Sequence, residues 1–145
     1  MRYPMLYVAA FAILVHFSFC ASAQNASLQF NLNCIGRQFV GEARDLGRDD
    51  LMKSFVVVYR IDLDANRWCS DKCLETFEIS YSNSKEIFLS GTPKERFSPT
   101  RYVTILNRET GKLSSSFSLG RDMPIIFQTA DCLREPFEGF PSRRF

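Results

Sequence analysis

The most distinctive candidate for chemistry or recognition is the stretch 68–73, which holds the only tryptophan of the chain and two cysteines. A disulfide between Cys69 and Cys73 would clip a short loop that presents Trp68 together with Asp71 and Lys72. Because tryptophan is enriched at binding hot spots, these last three residues form a possible interaction surface. The alternative is that Trp68 caps the core, while the disulfide fixes a strand connection.

Asp62 and Asp64 are the carboxylates that could serve hydrolysis or begin a calcium loop. Hydrolysis by two carboxylates requires a cleft and two distinct environments, and the sequence indicates neither. An EF-hand that starts at Asp62 needs glycine at its sixth position and glutamate at its twelfth, where this chain has Arg67 and Cys73. We interpret the segment as a hairpin turn in which the side chains bond to their own backbone.

Histidine is confined to one position, His16, near the amino terminus. If that segment is removed, residues 24–145 contain no imidazole, which excludes Ser-His-Asp and Cys-His catalysis. It also leaves an all-cysteine site as the only familiar zinc option. We therefore expect a protein that is not an enzyme, with no catalytic, cofactor-binding or metal-ligating residues. The alternatives are a carboxylate- or metal-dependent enzyme and a lipocalin-like carrier of a small apolar ligand.

Residues 1–23 have the pattern of a cleavable secretory signal. Arg2 precedes an apolar stretch at 3–19, and Ala21-Ser22-Ala23 fits the rule for signal peptidase. A membrane anchor or a lipid-modified Cys20 are the rival interpretations, but no basic stop-transfer cluster follows and no small residue precedes Cys20. We expect a periplasmic or secreted protein with one domain at 24–145 and no stable membrane insertion after cleavage.

The charge balance argues against a nucleic-acid partner. The formal net charge is +2, and acidic and basic residues are interspersed along the chain. A protein that binds nucleic acid usually carries a basic patch or stripe. The expected partner is therefore an unidentified protein or small ligand in the cell envelope.

Four of the five cysteines lie beyond the signal segment. An even number in an exported chain indicates two disulfides, for which three pairings are possible. We favour Cys69 with Cys73 as a local clip. Cys34 with Cys132 would then tie together the two ends of the domain.

Apolar and polar residues alternate with period two along most of the domain, which predicts half-buried antiparallel strands. Residues 36–53 are predicted to be an extended loop with one helical turn at its end, and Phe137 and Phe140 are predicted to plug one end of the domain. The predicted fold is an all-β antiparallel meander of seven or eight strands, closed as a small barrel or folded as a sandwich. The strands are predicted at 28–34, 55–63, 76–81, 87–89, 101–107, 113–119 and 125–130.

Several short motifs resemble those of small uncharacterised exported bacterial proteins. They are the residues 59–63 (YRIDL), followed by Trp68-Cys69 and Cys73, and the residues 107–111 (NRETG). A weaker likeness is to periplasmic β-barrel inhibitors of lysozyme or proteases, whose chains often begin with an apolar strand that carries cysteine and then glycine. The resemblance implies a β fold and an envelope location. It implies no functional residues.

Overall fold

A single antiparallel sheet contains all of the strands in the computed structural model, which describes residues 28–120 and 125–141. The predicted signal segment, residues 1–23, lies outside these ranges. The described residues contain no α-helix and only short 3₁₀ turns, so the predicted all-β class is confirmed. The strands are β1 (Gln29–Gly41), β2 (Met52–Asp62), β3 (Arg67–Ser70), β4 (Phe77–Glu78), β5 (Tyr81–Ser82), β6 (Glu86–Ser90), β7 (Thr100–Asn107), β8 (Lys112–Leu119) and β9 (Ile125–Glu135).

The sheet curls into a half-barrel in the order β4-β3-β2-β1-β9-β8-β7-β6-β5. Its first and last strands therefore pair at the centre, while β4 and β5 lie at opposite edges and are joined only by Ile79 and Ser80. The amide of Ile79 donates to the carbonyl of Asn66, 3.1 Å away, and the amide of Ser80 donates to that of Phe88 at 2.9 Å. The segment 79–80 thus hydrogen-bonds to the turn before β3 on one side and to β6 on the other.

The concave face of the sheet holds the hydrophobic core. Because side chains alternate between the two faces of a strand, Phe30, Leu32 and Cys34 of β1 point inward together. They meet inward-facing residues of β2, β3, β6, β7, β8 and β9 and the side chain of Ile79. The buried cluster consists of Phe30, Leu32, Cys34, Tyr59, Ile61, Trp68, Ile79, Ile87, Leu89, Leu106, Leu113 and Ala130.

A close approach of β1 and β9 accompanies the curl. Gly36 lies opposite Ala130 in the register of these strands. A Cβ atom at Gly36 would lie 2.6 Å from the Cα of Ala130 and would overlap the carbonyl oxygen of Thr129. Only glycine allows the two backbones to approach this closely.

The prediction of a long loop at 36–53 was wrong. β1 continues to Gly41 and β2 begins at Met52, so the connection is 42–51, with 3₁₀ turns at Ala43–Asp45 and Asp49–Leu51. The charged residues that favoured a loop, Arg37 and Lys53, are strand residues with solvated side chains. A strand tolerates charges on any surface that water reaches, so charge alone does not indicate a loop.

The carboxyl-terminal part of the chain also differs from the prediction. β9 extends to Glu135, so Cys132 lies within the last strand instead of after it. Beyond it, the rings of Phe137 and Phe140 contact each other with centroids 5.4 Å apart. The Arg67 guanidinium lies 4.3 Å from the ring of Phe140. The two phenylalanines are half-buried beside β3 on the convex face, and this contact replaces the predicted plug.

Candidate functional site

The two ends of the curled sheet differ in the length of their connections. At one end, tight turns at 63–66, 83–85 and 108–111 join the strands. At the other, which we call the upper end, the connections that the structure describes in full are 42–51, 71–76 and 91–99. Long loops carried on a rigid scaffold are where binding residues are most often found. The upper end is therefore the first candidate surface.

Most of the large exposed apolar side chains in the described residues lie in or near the upper-end connections. The side chain of Leu74 is 89% exposed and that of Phe97 is 84% exposed, each in a different loop. Other exposed apolar residues lie at the ends of the strands next to these loops, so the exposed apolar side chains are not confined to one loop. The large exposed hydrophobic residues here are Val40, Leu46, Leu74, Phe77, Phe97, Tyr102 and Leu119.

Trp68 is a core residue, with only 7% of its surface exposed. Its indole Nε1 donates a hydrogen bond to the carbonyl of Glu78 at 3.2 Å. Its ring packs between those of Tyr59 and Phe77, with centroids at 5.8 Å and 5.1 Å. The indole therefore does not form the exposed surface considered from the sequence. It caps the core, as in the alternative interpretation.

Asp71 and Lys72 are exposed at the tip of the loop clipped by the disulfide between Cys69 and Cys73. The loop is fixed to β2, since the amide of Asp71 donates to the carbonyl of Val58 at 2.7 Å and its carboxylate accepts from the amide of Val58 at 3.2 Å. Both charged residues line a cleft of about 500 Å³ beside Leu74 and Phe77. The structure thus brings Asp71 and Lys72 together with exposed apolar residues that the sequence did not single out.

Tyr59 stands on the concave face close to the same loop. Burial raises the pKa of Tyr59 to about 12, and the nearby Tyr102 and the negative charge of Asp71 act in the same direction. A phenol with such a pKa remains protonated at neutral pH. Tyr59 is therefore a packing residue and is poorly suited to act as a general base.

A groove of about 590 Å³ crosses the convex face of the sheet. Its volume falls within the roughly 300–1,000 Å³ of typical ligand sites. Apolar residues from β7 and β9 form its floor, and polar or charged residues surround them. The lining residues are Glu86, Arg96, Arg101, Val103, Ile105, Asn107, Thr110, Lys112, Ser114, Ser116 and Phe127.

Two of the cations in the convex groove are paired with carboxylates. Arg96 contacts Glu86 at 2.6 Å, and Lys112 contacts Asp131 at 3.0 Å. Arg101 instead bonds to neutral acceptors: its Nε donates to the Ser116 hydroxyl at 2.6 Å and its Nη1 donates to the carbonyl of Ser98 at 3.0 Å. Within the described part of the chain, it has no ion pair. No local pattern in the sequence indicates this arrangement, because Arg101 and Ser116 lie on separate strands.

The carboxylates of Asp62 and Asp64 do not meet in a cleft. Asp62 is buried, and its oxygens accept from the amide of Ala65 at 2.8 Å and from the side-chain amide of Gln29 at 3.0 Å. Asp64 is exposed in the turn that follows. Asp62 thus anchors its own hairpin turn, as expected of an aspartate that bonds to nearby backbone.

Across residues 28–120 and 125–141, no group of three His, Cys, Asp or Glu side chains is placed to hold a metal ion. The same residues contain no helix long and apolar enough to cross a membrane.

Comparison with known proteins gives no family. No family model, curated protein or solved structure matches the chain.

Proposed function

We propose that this chain is a non-enzymatic binding module of the bacterial envelope, which contacts another protein through its upper end. The observation that carries the proposal is the concentration of exposed large apolar side chains on that end, above all Leu74 and Phe97. Soluble monomers rarely expose a large contiguous apolar surface, and such surfaces mark interaction sites.

Charged residues around the apolar ones favour a protein as the partner. The 42–51 loop carries ion pairs between Arg44 and Glu42 at 2.9 Å and between Arg48 and Asp50 at 2.7 Å. Both pairs are exposed to solvent. An apolar centre with a polar, solvated rim is the usual anatomy of a protein–protein interface.

The envelope location rests on the signal pattern of residues 1–23 and on the disulfides. Cys34 is bonded to Cys132, and Cys69 to Cys73. Disulfides persist in oxidising compartments such as the periplasm and are rare in the cytosol. Both observations agree with export.

Capture experiments that compare variants of exposed apolar residues test the proposal. The purified protein, immobilised, is exposed to a bacterial envelope extract and compared with Leu74→Ser, Phe97→Ser and Leu133→Ser. Leu133 is 71% exposed on the convex face and is the control, because its substitution removes an equally large apolar side chain away from the upper end. We expect a captured protein to be lost with the first two variants and retained with Leu133→Ser. Capture of nothing, or equal loss with Leu133→Ser, would contradict the proposal.

Inhibition of lysozyme is the more specific form of the proposal, and it rests on the resemblance to periplasmic inhibitors. Under this form, adding the purified protein lowers the rate at which lysozyme clears a cell-wall suspension, and Leu74→Ser restores that rate. Lysozyme activity that is unchanged by an excess of the protein dismisses this form and leaves the broader proposal to the capture experiment.

A further inference from the structure

The convex groove contains one positive charge that is not neutralised within the described residues. Of its three cations, Arg96 and Lys112 have carboxylate partners within 3.0 Å, whereas Arg101 has none. Arg101 is half-buried, so water screens its charge less than that of a fully exposed side chain. The groove therefore favours an anionic ligand.

Neutral hydrogen bonds hold the Arg101 guanidinium in place. Nε and Nη1 donate to Ser116 and to the Ser98 carbonyl, while the structure shows no partner for Nη2 among the described residues. Because the Ser116 oxygen accepts the hydrogen bond from Arg101, the hydroxyl hydrogen of Ser116 is free to be donated to a ligand. Two donors thus lie side by side, which is the arrangement that a carboxylate accepts with both oxygens.

Side chains must provide the recognition in this groove. Its floor belongs to β7, β8 and β9, and each of these strands is paired on both sides. The strands under the groove therefore offer no unpaired edge to the backbone of an acidic peptide, and an unpaired edge is the usual place where a sheet binds an extended peptide.

The rest of the lining fits a sugar. Phe127 lies opposite Ser116 in the sheet register and, with Ile105, gives an apolar surface for the C–H face of a ring. Ser114 and Thr110 provide hydroxyl groups beside it. Sugars require both features, because their rings have an apolar face and a rim of hydroxyl groups.

We propose that the convex groove binds a saccharide that carries a carboxylate. The carboxylate bonds to Arg101 and Ser116, and the sugar ring lies on Phe127 and Ile105. This site is separate from the exposed apolar residues of the upper end, and it does not depend on the protein contact proposed above.

Calorimetric titration of the purified protein tests the groove with four probes. Two are acidic disaccharides from different sources, N-acetylglucosaminyl-N-acetylmuramic acid and digalacturonic acid. The third, diacetylchitobiose, is the uncharged relative of the first, and the fourth is inorganic phosphate. We expect at least one acidic disaccharide to bind about tenfold more tightly than diacetylchitobiose and phosphate, since hydrogen bonds to a charged group are stronger than those between neutral groups.

Variants then assign the binding to the groove. Arg101→Gln and Ser116→Ala each remove one donor, and we expect Arg101→Gln to weaken the acidic disaccharide about tenfold or more. Lys94→Gln is the control, because it removes an exposed cation from the 91–99 loop outside the groove lining. Circular dichroism verifies that each variant is folded.

Three results would overturn the proposal. The first is binding of diacetylchitobiose or phosphate as tight as that of the acidic disaccharides. The second is no binding of any probe. The third is an equal loss of affinity in Lys94→Gln and Arg101→Gln, which would indicate a general charge effect. Because none of these experiments involves Leu74 or Phe97, their failure leaves the proposed protein contact unaffected.

Discussion

Cys34 on β1 lies directly opposite Cys132 on β9, and the two are joined by a disulfide that spans 98 residues of sequence. β1 and β9 are the first and last strands of the chain, and they pair at the centre of the sheet. The disulfide thus links the two ends of the domain at the centre of the curled sheet. The second bridge, between Cys69 and Cys73, spans only 4 residues.

Removing the two disulfides separately should give unequal losses of stability. In the chain-entropy model, a closed loop of about 100 residues stabilises the fold by roughly 4–5 kcal/mol, whereas a loop of about 4 residues contributes roughly 2 kcal/mol. We therefore expect the double variant Cys34→Ala/Cys132→Ala to lose about 3 kcal/mol more than Cys69→Ala/Cys73→Ala. Urea unfolding followed by circular dichroism measures both, and equal losses would show that the long bridge does not act through the unfolded chain.

Substitution of Trp68 should affect folding before it affects binding. Its ring is buried between Tyr59 and Phe77, so Trp68→Ala removes a large core side chain and should cost about 3–5 kcal/mol. Trp68→Phe retains an aromatic ring and should cost less. Leu74→Ala, at an exposed position of the same region, should change stability by less than about 0.5 kcal/mol.

Fluorescence provides an independent check, because Trp68 is the only tryptophan. Its emission in the folded protein should be shifted to shorter wavelength than in urea, and acrylamide should quench it weakly. Emission at the wavelength of free tryptophan would place the indole in water and contradict its burial.

The stability of the protein should fall at alkaline pH because of Tyr59. Its pKa is raised to about 12 in the folded state, while an unfolded tyrosine ionises near 10. The unfolded chain therefore loses this proton at lower pH than the folded protein does. The stability that the protonated Tyr59 contributes is fully present below pH 10 and is lost between about pH 10 and 12. The free energy of unfolding should decrease less with rising pH in Tyr59→Phe than in the control Tyr81→Phe, because Tyr81 is exposed. Identical pH profiles for the two variants would rule out this origin.

Much of the strand pattern could be predicted from the sequence, because period-two alternation is a local property. The segments 113–119 and 101–107 correspond closely to β8 and β7. The favoured disulfide pairing was also confirmed. The structure buries Cys34 fully, in the same cluster as Phe30 and Leu32.

Two features could not be predicted from local sequence patterns: where the strands end and which residues form the candidate sites. Both depend on the burial and the strand register of the folded sheet. The second half of β1 was missed because Arg37 lies on a face that water reaches, where a charge does not prevent a strand. The pairing of Arg101 with Ser116 joins two strands across the sheet. Such a contact follows from the register, which a single sequence does not display. Trp68 illustrates the same limit, since its burial depends on Tyr59 and Phe77 from neighbouring strands.

The two aspartates near the end of β2 should differ sharply when they are replaced. Asp62 accepts hydrogen bonds from Ala65 and Gln29 and is buried, so Asp62→Ala removes the acceptor of both hydrogen bonds. We expect a loss of about 1–3 kcal/mol for Asp62→Ala and less than about 0.5 kcal/mol for the exposed Asp64→Ala. Urea unfolding measures both variants. If Asp64→Ala were the more destabilising of the two, Asp62 would not be the anchor of the turn between β2 and β3.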